Sequence, residues 1–185
     1  MTNIDIISAV ISSSVLSSLL TAYANSRIQS KNYKHEYYKK ILEKRMATQE
    51  DVIHIADQLK IQVKLNNGTL CHRLCANGEA HFTNFSILVA ATVSGSFWLS
   101  TKQSEILQEF NVFLLNEFTH ELNKLPAEEK DEALITLGLT HREEIRNFRT
   151  RIEKQLLNEF ASLANIEEFL KSSTHAKDRL YELKT

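Results

Sequence analysis

Three features of the sequence predict an all-α fold. One proline and four glycines among 185 residues leave the chain few places to turn. Apolar residues return every three or four positions, as in Ile106, Leu107, Phe110, Phe113, Leu114, Phe118 and Leu122, the spacing of one helix face. Ile6 to Ser26 carries no charge and is followed at once by a basic segment. Together these predict a single N-terminal transmembrane helix continuing into a long helix, followed by a small cytoplasmic helical bundle. The expected division is residues 1–26 as anchor, 27–61 as a long basic juxtamembrane helix packing on the bundle, and 62–185 as the bundle.

The anchor reads IISAVISSSVLSSLLTAYANS, 21 residues, and about 20 suffice to cross a hydrocarbon core as a helix. Arg27, Lys31, Lys34, Lys39 and Lys40 behind it favour the cytoplasmic side and would meet lipid head groups. Serines at positions 8, 12, 13, 14, 17 and 18 dilute the run, although a helical hydroxyl bonds back to a carbonyl one turn earlier. Ala9, Ser13, Ser17 and Thr21 form one line at spacing four, and Ser14, Ser18 and Ala22 a neighbouring one. Such lines let membrane helices approach closely, so a homo-oligomer is expected. A cleaved signal peptide fits less well, since Asp5 is the only charged side chain ahead of the run and Tyr23 to Ser26 makes a poor cleavage region. The stronger rival is a half-buried bundle helix with serines set among leucines.

The long helix is expected to run from Arg27 to about Ile61, with Tyr33, Tyr37, Ile41, Leu42, Met46, Ile53, Ala56 and Leu59 spaced three or four apart. Seven bases face two acids between Arg27 and Arg45, a solvated face or a head-group contact. Residues 62–78 are the least regular, with turn signals at Asn66-Asn67-Gly68 and Asn77-Gly78. A helix follows from Glu79 to Ser94. Ser100 and Gln103 form a capping-box pair for a helix from Thr101 to Leu125, which Pro126 stops. A short acidic helix from Glu128 to Leu137 ends at Gly138. Thr140, with Glu143 as partner, caps a last long helix from His141 to Ala164, its buried side marked by Ile145, Phe148, Ile152, Leu156, Leu157 and Phe160.

A formal net charge of −1 argues against a nucleic-acid binder held by bulk charge. Two cysteines make no disulfide framework. Cys71, His72, Cys75 and His81 are the one cluster that looks like a site, with His54 a further candidate, but structural zinc wants two close ligand pairs and only one is present. Two buried thiols beside a turn account better for the cysteines. Glu117 and His120 match a Glu-x-x-His pattern once, where a carboxylate metal centre needs facing copies. No phosphate-cradling glycine loop exists. Neither a cofactor nor an enzyme is expected.

The order of an uncharged N-terminal helix, the basic tyrosine-rich stretch YKHEYYKKILEKRMA, and FWLSTKQSEILQEFNVFL opening a long amphipathic helix resembles a loose group of small bacterial membrane-anchored helical proteins. Some of these are encoded beside anti-phage systems. The resemblance implies a non-enzymatic effector or sensor in the bacterial inner membrane; the length of the uncharged run and its basic flank indicate a single pass with the N-terminus outside and the bundle inside. It implies the lipid bilayer as partner and a possible protein partner on the bundle. The alternatives are a membrane-tethered scaffold or binding module, and a soluble helical interaction protein with Ile6 to Tyr23 in an interface.

Overall fold

The computed structural model describes residues 3–166 and residue 168, with the backbone alone for residues 3–20, 24 and 30. Helix α1 runs from Asn3 to Lys60. A hairpin of β1 (Gln62–Lys64) and β2 (Leu70–His72) follows, then α2 (Arg73–Ala76) and α3 (Glu79–Ser94). A 3-10 turn at Ser96–Trp98 leads to α4 (Thr101–Phe113), a π-helical stretch (Leu114–Thr119) and α5 (His120–Leu122). A second 3-10 turn, Ala127–Glu129, opens α6 (Lys130–Thr140), and α7 covers Arg142–Ser162. The chain divides into two compact units, Met1–Ile41 and Leu42–Thr185.

In the first unit the described side chains lie mainly on the surface. Tyr23, Ile28, Tyr33 and Tyr37 are exposed. Among the described residues no helix is long and apolar enough to cross a membrane, which overturns the expected transmembrane anchor. Serines interrupt the apolar residues of Ile6 to Ser26, and beyond Ser26 the helix surface is charged. The inner-membrane topology falls with the anchor, as do the lipid bilayer as partner and the cytoplasmic placing of the bundle. The homo-oligomer was argued from that anchor and loses its basis. Ala9, Ser13, Ser14, Ser17 and Ser18 lie outside the described side chains, while Thr21 and Ala22 are exposed. Two of the residues expected at lipid head groups have aromatic neighbours. The Arg27 guanidinium donates from Nε to the Tyr23 hydroxyl at 3.1 Å and sits 5.5 Å from that ring's centre. Lys34 lies 5.1 Å from the Tyr38 ring centre. Lys31, Lys39 and Lys40 are exposed.

The second unit carries the core, built from Val52, Ile55 and Leu59 of α1, Leu74 and Cys75 of α2, Phe82, Phe85 and Val89 of α3, and their partners on α4 to α7. Here the helical-bundle prediction is met: α3 packs on α4, α4 on α7, and α2 on α6. An aromatic column runs through it. Phe110 lies 5.1 Å from Phe148, Phe113 5.2 Å from Phe148, and Phe82 5.4 Å from Phe118.

Several local expectations change. The irregular segment contains a hairpin, with Gln62 opposite His72 and Lys64 opposite Leu70. Its turn places Gly68 at φ 85°, where glycine has no Cβ penalty, and the Asn67 side chain accepts from Thr69 N–H at 2.9 Å. The helix expected from Thr101 to Leu125 changes its winding at Leu114. Gly138 does not end α6, which runs on to Thr140. Thr140 does not cap α7, because its hydroxyl donates to the Thr136 carbonyl instead. On α7, Leu157 and Phe160 are exposed at 73% and 49%, outside the buried stripe of Ile145, Ile152 and Leu156.

Candidate functional site

The feature of α3 that bears on function is its second stripe. Phe82, Phe85, Val89 and Thr92 are buried, whereas Glu79, Thr83, Ser86, Ile87 and Ala90 line a groove. Positions 79, 83, 86–87 and 90 follow one another by three or four residues, so they share one side over three turns, a length of about 16 Å. The opposite wall is the altered stretch of the neighbouring helix. Asn111, Leu114, Leu115, Thr119, Leu122 and Asn123 stand there.

Within that wall the winding widens between Leu114 and Thr119. The His120 N–H donates to the Leu115 carbonyl, five residues back, which is the π-helical bond and takes up one extra residue within an α-helix. The widening keeps Leu114 and Phe118 in the core, both fully buried, while Leu115 stays 36% exposed. Phe118 lies 5.6 Å from the His141 ring, and Glu117 stands 3.8 Å from His141 Nε2.

The groove holds about 290 Å³ and is mainly apolar, at the low end of the range for ligand pockets. Ile87 stands 60% exposed at its rim. The Ser86 hydroxyl is buried in its wall without a hydrogen-bond partner. At one end Lys130 pairs with Glu79 at 2.7 Å, and Asp131 accepts the Glu79 N–H at 2.8 Å. This acid fixes the start of α3 where Gly78, at φ 84°, turns the chain.

A second constellation is polar and buried. Arg45 is 1% exposed; its Nη1 donates to the Leu163 carbonyl at 2.7 Å, and its Nη2 lies 3.6 Å from Glu159 Oε2. Burial lowers the Arg45 pKa, and the Glu159 carboxylate acts against that shift. Glu159 Oε1 accepts from Gln155 Nε2 at 2.7 Å and from the Ser100 hydroxyl. Ser100 also accepts the Gln103 N–H at 3.3 Å, so the predicted N-cap forms. The Gln103 side chain does not complete the box. It exchanges two hydrogen bonds with Gln49, at 2.7 and 2.9 Å. These groups bind the α1 segment of this unit to α4 and α7. The contacts named run within the protein and tie these helices together, while Glu159 Oε2 is buried without a hydrogen-bond partner.

The structure divides the Cys/His cluster of the sequence. Cys71, His72 and Cys75 are buried at the β2–α2 junction. A Cβ added at Gly138 would stand 2.7 Å from Cys75 Sγ and 3.4 Å from Cys71 Sγ, so both thiols pack on one spot of α6. Burial raises both thiol pKa values, and Cys71 adds to the shift at Cys75. Thiols held protonated are poor nucleophiles and poor metal ligands. His72 is fully buried, with no hydrogen bond to either ring nitrogen. Burial lowers its pKa, and the charges of Arg142 and Arg149 lower it further, against the raising effect of the backbone at Arg142 and Leu59. His81 lies instead with His54, in a pocket between α1 and α3. Among the described residues no group of three or more His, Cys, Asp or Glu side chains is arranged to hold a metal.

The class the fold defines is an all-α helical bundle. No protein-family model, no curated protein and no solved structure matches the chain. The resemblance to membrane-anchored proteins of anti-phage systems thus finds no relative to rest on. It is withdrawn, and the membrane effector or sensor it implied is withdrawn with it.

Proposed function

We propose that the chain is a helical interaction protein with no catalysis of its own, and that the groove between α3 and the π-helical stretch is its binding face. The observation that carries this reading is the half-open apolar groove rimmed by Ile87 and Leu115. Fully burying an exposed side chain of this kind gains about 1.5–3 kcal/mol, and covering Ile87 and Leu115 would gain the share that is still exposed. A groove three turns long suits an amphipathic helix laying residues i, i+3, i+4 and i+7 into it. Thr83 and Asn123, exposed on the groove lining, supply polar contacts to set the register of the guest. The protonated thiols of Cys71 and Cys75 support a non-catalytic reading, since neither is poised for chemistry.

The test is site-specific photo-cross-linking in the cells that encode the protein. A photoreactive residue at Ile87 or at Leu115 is expected to capture the same discrete partner. One at Leu157, more exposed than either but on α7, is expected to capture none of it, and Ile87→Glu with the photoreactive residue at Leu115 should abolish capture. Equal capture at Leu157, or capture indifferent to Ile87→Glu, would show that the groove is not the binding face.

A further inference from the structure

The pocket between α1 and α3 holds about 260 Å³ and is lined by His54, Gln58, His81, Asn84, Phe85 and Leu88. Two of its polar atoms, Gln58 Oε1 and His81 Nε2, are buried without a hydrogen-bond partner. Buried polar groups are nearly always satisfied, so two orphans lining one small pocket call for an explanation. Gln58 Oε1 has only lone pairs to offer, and a neutral imidazole offers a lone pair at Nε2 in one tautomer. A single cation held between them would satisfy both. His54, exposed on α1, adds a second imidazole and access from solvent.

The spacing supports the same conclusion. His54 and Gln58 are four residues apart on α1, and His81 and Asn84 three apart on α3, so each pair lies on one face of its helix. Bundles assemble metal sites from side chains on facing helices, usually with carboxylates beside imidazoles; here amides stand in their place. The two imidazole nitrogens suit copper, nickel or zinc, and the Gln58 amide oxygen adds a neutral donor beside them. Calcium and magnesium take all-oxygen sets, mostly with carboxylates.

We infer that this pocket binds one first-row divalent transition-metal ion, with His54 and His81 as nitrogen donors and Gln58 as an oxygen donor. Among the described residues no third imidazole, thiol or carboxylate completes the set, so solvent fills the remaining positions and the ion exchanges freely. Affinity follows the order of intrinsic ligand strength, with Cu²⁺ ahead of Ni²⁺ and of Zn²⁺.

The experiment is calorimetric titration of the full chain with CuCl₂, NiCl₂ and ZnCl₂ separately, together with the electron paramagnetic resonance spectrum of the Cu²⁺ form. One saturable equivalent in the stated order is expected, with splitting from imidazole nitrogens. His54→Ala and His81→Asn should each weaken binding by about tenfold or more, since even changes outside the ligand set cost about 10–100-fold. His35→Ala, at an exposed position of the first unit, should change nothing. His54 is exposed, so its variant keeps the fold and decides the matter even where His81→Asn unfolds. Absence of a saturable site for all three ions would overturn the inference. So would Cu²⁺ affinity unchanged in a folded His54→Ala protein, which would place the ion at other imidazoles.

Discussion

Arg45 is a charged side chain buried in the second unit's interior at its contact with Glu159. Its guanidinium and the Glu159 carboxylate are both removed from water, and each depends on the other. Removing one partner leaves an uncompensated buried charge at a cost of about 3–5 kcal/mol, while replacing both by apolar groups is often neutral or stabilising. Glu159→Leu is therefore expected to lower the urea midpoint sharply, and Arg45→Met/Glu159→Leu to recover most of the loss. A double variant less stable than either single one would contradict this account. His72 sets a second expectation, on pH. Its folded pKa is depressed by burial, so on acidification the unfolded chain takes up the proton first, near pH 6.5. Its contribution to stability is complete above that value and is lost as pH falls below it, by up to about 1.4 kcal/mol per pH unit. Urea midpoints at pH 8 and pH 5.5 should therefore differ less in His72→Leu than in the wild type. An unchanged difference would assign the pH dependence to other groups. Gly138 gives a third. A Cβ there would lie 2.6 Å from Cys75 Cβ. Gly138→Ala should cost about 1–3 kcal/mol by overpacking, against about 1 kcal/mol that alanine gains over glycine in a helix. A net loss in chemical denaturation is expected, and a gain would mean that α2 and α6 separate easily.

At the scale of elements, the π-helical stretch shows where periodicity stops being informative. Phe110, Leu114, Phe118 and Leu122 step by four residues, which lies between the α period of 3.6 and the wider π winding. The pattern therefore marks a buried stripe without revealing the extra residue. α3 and the capped start of α4 were legible because their signals are local: an apolar stripe after Gly78, and Ser100 three residues before Gln103. Gly138 was misread as a stop because glycine is a poor helix former. Its reason for being there is the thiol of Cys75, far off in sequence. The hairpin was missed because three-residue strands give almost no alternation. Deleting Leu115 tests the π stretch as an element. It should return the segment to α-helical winding, with Phe118 and Leu122 still inward, helical circular dichroism retained, and capture by a photoreactive residue at Ile87 lost. A deletion that unfolds the chain would show the widened turn to be part of the core's register.

For the molecule as a whole, sequence located the body of the bundle and misjudged what precedes it. Charge absence and length recommended Ile6 to Ser26 as a membrane span, but neither measures apolar density. The basic segment behind it looked uniform from Arg27 to Arg45, and only packing separates the exposed Lys39 and Lys40 from the buried Arg45. The candidate groove was half legible. The apolar content of α3 was evident, but which of its residues stay at the surface depends on helices distant in sequence. All buried members of the hydrophobic core cluster lie between Val52 and Leu156, and the second compact unit begins at Leu42. A chain beginning at Lys39, which keeps the buried Ile41, therefore retains the core and the Arg45–Glu159 network. It is expected to melt in one cooperative transition, with Tm within about 4 °C of the full chain, the shift that about 1 kcal/mol produces at this size. Its helical signal should fall only by the share of the residues removed. A broad, non-cooperative melt of that truncated chain would show that residues 1–38 are part of the same folding unit as the bundle.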